Sequence, residues 1–114
     1  MNAYAKGANA ERAFIKMLLK GATFQIDMHL STSRVEMWEP ALWAGRTAGS
    51  HSKIDVSSLW PDVVRVFQIK RGGAVPEASE IAYLRGLALA TRGLAECYVV
   101  RWPDRCPPHL FRVK

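Results

Sequence analysis

No apolar run in this chain of 114 residues reaches the ~18 that a membrane span requires. The first residues include Lys6, but they hold no apolar stretch of about 7–15 residues followed by a small-residue cleavage site. Neither a membrane helix nor a signal peptide is therefore expected. Cysteine is scarce, since Cys97 and Cys106 form no CxxC and stand near no histidine cluster. They read as free thiols of a reducing, cytoplasmic compartment, with one disulfide as the alternative. His29, His51 and His109 lack metal-ligand spacing, although His51 lies in the loop ahead of Asp55. No G-x-x-x-x-G-K-[ST] occurs, so no nucleotide cofactor is expected. Acidic residues are the minority charge: 16 Lys+Arg face 10 Asp+Glu, for a net +6. The basic residues are spread along the chain and form no tail, which favours a polyanionic partner over a tail-borne signal. The plainer alternative is a solvated basic surface without a ligand.

What is present reads as one domain over residues 1–114. "NAERAFIKMLLKG" predicts a helix capped by Asn2 or Asn9 and ended by Gly21. Its apolar stripe is Phe14, Ile15, Leu18 and Leu19, and one turn back along that stripe lies Glu11. "TFQIDMHL" alternates as a strand. Residues 31–52 lose the pattern and read as a long loop with at most one short element, the kind of segment that carries function. "KIDVSSLW" and "VVRVFQIK" form a hairpin about Pro61-Asp62. "PEASEIAYLRGLALATRG" is a second helix, with Pro76 in its first turn, Glu77 and Glu80 favouring its positive end, and Gly93 stopping it. Ile81, Leu84, Leu87 and Ala88 form its core face, which Tyr83 and Leu89 broaden. "AECYVVRW" and "HLFRVK" close the chain as strands. The order α-β-β-β-α-β-β predicts an α/β fold, a central mixed sheet flanked by helices.

The chemistry lies in the hairpin. Val64 and Val66 share a strand face with Gln68 and Lys70, so an apolar face ends in an amide and an ammonium just before Gly72 and Gly73. With a turn at Pro61-Asp62, opposed positions sum to 123, and Asp55 comes to face Gln68. Asp55, Gln68 and Lys70 then converge at the open end of the hairpin. That set suits metal-dependent phosphodiester hydrolysis, because Mg²⁺ takes hard oxygen ligands: one or two carboxylates plus waters and phosphate oxygens. Asp55 and the Gln68 amide oxygen are the expected ligands, with the Ile69 backbone carbonyl as a third. Glu11 would complete the shell directly or through a water. Lys70 would hold or deprotonate the attacking water and offset charge on the phosphoryl group. The glycines would admit a DNA backbone. Asp62, in the literal "PD", belongs to the turn at the far end of the strand. The plain readings are a boundary Glu11, a strand-start Asp55 and a Lys70 that guards an edge.

With these residues in place, the sequence resembles the archaeal-type Holliday junction resolvases, phage versions included, within the PD-(D/E)xK nuclease superfamily. The resemblance is carried by "AER" (Ala10 to Arg12), by "AGS" (Ala48 to Ser50) ahead of Asp55, and by "QIK" (Gln68 to Lys70) where the family has ExK. It continues through "RGGAVPEASEIAYLRGLALATRGLAECYVVRW" and covers nearly all the chain except roughly 31–47. It implies a restriction-endonuclease-like fold and a homodimer that nicks opposing strands of four-way DNA junctions in recombination and repair. The implied cofactor is Mg²⁺, with Mn²⁺ as a substitute. By that match Glu11, Asp55, Gln68 and Lys70 are catalytic, and Arg12 and Ser50 contact DNA or phosphate. Arg34, Arg46, Lys53 and Arg71 join them as DNA-binding candidates by charge and place.

Two departures follow. Gln68 removes one negative charge from the metal site, which weakens Mg²⁺ binding or shifts the load to Asp55 and Glu11. Residues 31–47 form a longer segment than the family pattern, and its Trp38, Trp43, Arg34 and Arg46 either contact the junction or cap the core. Other branched or duplex DNA remains an alternative target, and a catalytically impaired junction-binding module is the alternative from another class.

Overall fold

The computed structural model describes residues 3–28, 32–47 and 53–114. Its elements are α1 (Ala3–Lys20), β1 (Ala22–Asp27), β2 (Ser33–Trp38), β3 (Trp43–Arg46), β4 (Val56–Trp60), β5 (Val63–Arg71), α2 (Ala78–Ala90), β6 (Ala95–Trp102) and β7 (His109–Val113). They build one seven-stranded mixed sheet in the order β2-β1-β7-β6-β5-β4-β3. The expected α/β architecture, a mixed sheet with flanking helices, is present. The expected element order needs two additions, because the segment read as a loop carries strands β2 and β3.

The sheet must curl. β2 and β3 are its two edges, yet only residues 39–42 separate them. Five Cα–Cα links reach at most about 19 Å, whereas six strand spacings of a flat sheet would hold the edges about 29 Å apart. Curling closes that gap and wraps the sheet around α1. Trp38 of β2 accordingly meets Trp60 of β4 at 5.6 Å and Tyr98 of β6 at 5.5 Å between ring centroids. Ala41 N–H donates to Leu18 C=O at 2.9 Å, tying the connection to the end of α1.

Alternation along β5 assigns the two faces. Phe67, with Tyr98 and Val100 of β6, packs on Phe14 and Leu18 of α1 inside the curl. Val66, with Cys97 and Val99, packs on Leu84, Ile81 and Leu87 of α2 outside it. Gln68 and Lys70 share the outer face by the period of two. At the closed end, Arg65 is stacked between Trp38 and Trp60 at 4.1 and 4.5 Å and paired with Glu96 at 2.9 Å. The desolvated guanidinium is thus met by a carboxylate and two ring faces.

Several local expectations shift. Helix α1 begins at Ala3, so Asn9 lies inside it and is no cap, while Asn2 lies outside the described residues. Phe14 and Leu18 are buried but Leu19 is exposed, because the inner stripe of α1 runs through Ala10, Phe14 and Leu18. Gly21 ends the helix as expected at φ 86°, and a Cβ there would come within 3.1 Å of Pro40. Pro76 precedes α2 rather than entering it, since Glu77 is the N-cap. Tyr83 and Leu89 are exposed and extend the apolar surface outward. Cys97 is buried and Cys106 exposed, both as free thiols. No helix among the described residues is long and apolar enough to cross a membrane.

The two tryptophans of the former loop have opposite fates: Trp38 is 5% exposed and Trp43 is 53% exposed. Trp38→Ala is expected to cost about 3–5 kcal/mol, as for other buried aromatic truncations, leaving the fold marginal. Trp43→Ala is expected to stay within about 0.5 kcal/mol. Chemical denaturation of both variants checks this, and equal losses would contradict the burial assignment.

Candidate active site

The hairpin register places the site. Trp60 pairs with Val63, Leu59 with Val64 and Val56 with Phe67, a constant sum of 123. The ladder stops there: Asp55 lies just before β4 and its N–H donates to Phe67 C=O at 2.8 Å, so the expected direct pairing with Gln68 is not continued and Asp55 sits beside Val56 opposite Phe67. Its own carbonyl accepts from Thr47 N–H at 3.0 Å, so the Asp55 backbone is pinned between the end of β3 and β5. The carboxylate accepts from Ile69 N–H at 2.7 Å. Burial pushes the Asp55 carboxyl above its ordinary range; the Ile69 N–H opposes this, Glu11 and Glu80 add to it, and Lys70 offsets part.

Gln68 is 3% exposed. Its amide nitrogen donates to a carboxylate oxygen of Glu80, and its Oε1 is buried with no hydrogen-bond partner among the described residues. Lys70 Nζ straddles the same carboxylate, at 3.2 Å from Oε2 and 3.1 Å from Oε1. Glu80 Oε1 also accepts from Glu77 N–H at 2.8 Å, the reciprocal half of a capping box. Burial works against the Glu80 charge, but the Glu77 N–H, Lys70 and the Gln68 amide outweigh it and hold this carboxyl below its usual range. From the sequence, Glu80 is only a favourable charge at a helix N-terminus. The structure places its carboxylate against both Gln68 and Lys70, and the signal for this is its place one turn before Leu84 on the core stripe of α2.

The remaining candidates lie as follows. Glu11 on α1 accepts from Arg46 Nε on β3 at 2.9 Å, and its charge is felt at Asp55. Arg12 is exposed beside Asn9, at 3.5 Å. Arg34 pairs with Glu36 on the opposite edge strand, β2. Arg71 stacks over Trp102 at 4.8 Å and approaches Asp104 at 3.8 Å. Lys53 lies two residues before Asp55 and is half-buried. Ser50, His29, His51 and the "AGS" motif lie outside the described residues. Gly72, at φ 67°, makes the left-handed turn out of β5, and a Cβ on Gly73 would meet nothing within 4 Å. His109 pairs with Asp27 at 3.2 Å, away from the hairpin end.

Among the described residues no three His, Cys, Asp or Glu side chains converge to hold an ion. A site of the kind Mg²⁺ uses does not require three, since one carboxylate, a neutral oxygen and waters serve with a phosphate. Asp55 and the partnerless Gln68 Oε1 supply that minimal set, and a cation beside Asp55 would relieve the cost of burying its charge.

No family model and no curated protein matches the chain. Among solved structures it is similar to Hjc, a Holliday junction resolvase from the archaeal hyperthermophile Archaeoglobus fulgidus. The TM-score is 0.62 at 22% identity, over 95% of this chain and 73% of that one. The likeness establishes the fold: this chain has the mixed α/β, nuclease-like architecture of that resolvase.

The Asp55 carboxyl yields a stability test. Its ordinary value is 3.8 and its folded value is higher, so the folded chain binds the proton more tightly than the unfolded chain does. Stability then falls as pH rises from 3.8 through the folded value, and the loss persists at neutral pH. Asp55→Asn removes the penalty. In metal-free neutral buffer the variant is expected to melt higher than the parent, with the gain vanishing below pH 3.8. Melting curves across pH read this directly, and a variant that melts lower at pH 7 contradicts it.

Proposed function

We propose that the chain is a metal-dependent endodeoxyribonuclease that resolves four-way DNA junctions by paired nicks, acting as a homodimer. One observation supports the reading: the Asp55 carboxylate is held by Ile69 N–H, between Gln68 with its buried, partnerless Oε1 and Lys70, whose charge is felt at Asp55, on a fold shared with a resolvase. Asp55 and Gln68 Oε1 would hold Mg²⁺, or Mn²⁺ in its place, with Glu11 nearby and the Ile69 carbonyl as a further oxygen. The bound ion supplies Lewis-acid polarisation of the phosphodiester and a more acidic water. Lys70, held in place by Glu80, would face the negative charge that grows on the phosphoryl oxygens. Glu11 and Arg46 hold one another beside Asp55, so the ion pair places a guanidinium at the rim where a phosphate would enter. Arg12, Arg34, Lys53, Arg71 and Ser50 extend the reading as backbone contacts, whose binding weakens with salt by counterion release. The net charge of +6 agrees with such a partner.

The neutral Gln68 and the absence of a three-acid cluster among the described residues favour one second reading, a junction-binding module without cleavage. An immobile four-way junction, labelled on each strand in turn, separates the two. With Mg²⁺ the expected result is paired nicks on opposing strands. Asp55→Asn and Lys70→Ala should each slow them by roughly 10²-fold or more while binding the junction almost as tightly as the parent. Tight binding without nicks in either Mg²⁺ or Mn²⁺ would favour the binding module. Full cleavage by both variants would remove the site assignment, and preference for forks, flaps or linear duplex under competitor DNA would change the substrate.

A further inference from the structure

The carboxylate that organises this site comes from α2, and hydrogen-bond inventory says what it does there. An ionised carboxylate only accepts, and a glutamine amide has one donating and one accepting end. Because Gln68 touches Glu80 through Nε2, the amide orientation is chemically determined: the reverse orientation would press Oε1 against a carboxylate oxygen. Oε1 is thereby turned away from Glu80, and among the described residues it is buried without a partner. The same carboxylate grips Lys70 Nζ through both oxygens and is itself fixed by Glu77 N–H. Buried polar groups are ordinarily paired, so an orphaned Oε1 beside an Nε2 that donates to Glu80 marks an acceptor kept free.

We propose that Glu80 is a positioning residue of this site and that Gln68 and Glu80 are a matched amide–carboxylate pair. Glu80 aims the Gln68 oxygen and holds the Lys70 ammonium, so the negative charge of the pair resides on α2 rather than on β5. A glutamate at 68 would set two carboxylates in contact across a buried gap. Gln68→Glu, although it adds a metal-type ligand, therefore impairs the site instead of improving it. Reversing both members restores complementarity, because a Gln at 80 can donate to a Glu at 68, and that Glu, two residues along β5 from Lys70, can keep the ammonium paired. The catalytic part of the inference rests on the nuclease reading, while the pairing itself does not.

The test compares the parent, Gln68→Glu, Glu80→Gln and the double exchange as full chains. Melting in EDTA reads the pairing without metal or DNA: each single change is expected to lower the melting temperature, and the double exchange to recover most of the loss. Nicking of the four-way junction, assayed well below every melting point, reads the positioning. Each single variant is expected to be slower on the order of tenfold or more, and the double exchange to return to within a few-fold of the parent. Gln68→Glu should also need a different Mg²⁺ concentration for half-maximal rate, which a purely structural role would not shift. A Gln68→Glu variant that nicks as fast as the parent or faster overturns the proposal, as does a double exchange that melts no higher than Gln68→Glu. If no protein nicks DNA, the nuclease reading and the positioning role fall together, and the melting comparison alone decides the pairing.

Discussion

The pairing of Trp60 with Val63 across a two-residue turn is the constraint on which the site depends. From it the register runs without interruption to Val56 and Phe67, and just beyond it Asp55 is tied to β5 through Phe67 C=O and Ile69 N–H, the residues on either side of Gln68. A slip of one residue would exchange the faces of β5. Gln68 and Lys70 would then enter the aromatic interior around Phe14 and Tyr98, while Phe67 would leave its stacked contact with Tyr98. Burying an amide and an ammonium without partners costs several kcal/mol. The register is therefore enforced from both sides of β5, by the core inside the curl and by the smaller core under α2. The site forms where the second of these runs out: Val66 still meets Leu84, whereas Gln68 and Lys70 meet only the first turn of α2.

A second constraint acts at right angles to the first. The short connection between the edge strands obliges the sheet to close around α1, and Trp38 fills the seam. That closure also brings β3 against α1, and with it Arg46 onto Glu11 and Thr47 onto the Asp55 backbone. Glu11, far from Asp55 in sequence, is a neighbour only because the curl exists. The acidic end of the hairpin is thus built jointly by strand register and sheet closure.

The hairpin, its register, β6 and the inner stripe of α2 were legible because each buries a regular apolar face. The edge strands were not. In β2 the apolar residues Val35 and Met37 point outward, 71% and 76% exposed, and only Trp38 points inward. A reading that equates apolar alternation with a buried face finds nothing to hold in such a strand, since its support comes from backbone pairing to β1. β3 is short and holds through its ladder to β4. Glu80 was hidden differently, because an acid at the start of a helix already has an ordinary explanation in the macrodipole. Yet the step of one turn along an apolar stripe that picked out Glu11 on α1 picks out Glu80 from Leu84 on α2.

The charges at the site fall into a definite arrangement. Glu11 is met by Arg46 and Glu80 by Lys70, so the chain itself compensates two of the three carboxylates. Among the described residues, Asp55 is the one whose carboxylate is met by a backbone N–H rather than by an ion pair, and burial already raises the cost of its charge. Gln68 adds an oxygen but no charge. A divalent ion at such a place is attracted chiefly by one carboxylate, which is a weak hold in the absence of substrate, and Mg²⁺ characteristically draws the rest of its shell from phosphate oxygens and water. In the nuclease reading, metal and DNA then complete each other's binding. The phosphate brings the negative charge that Gln68 withholds, and Lys70, kept in place by Glu80 rather than by a carboxylate on its own strand, remains available to the phosphoryl oxygens when they arrive.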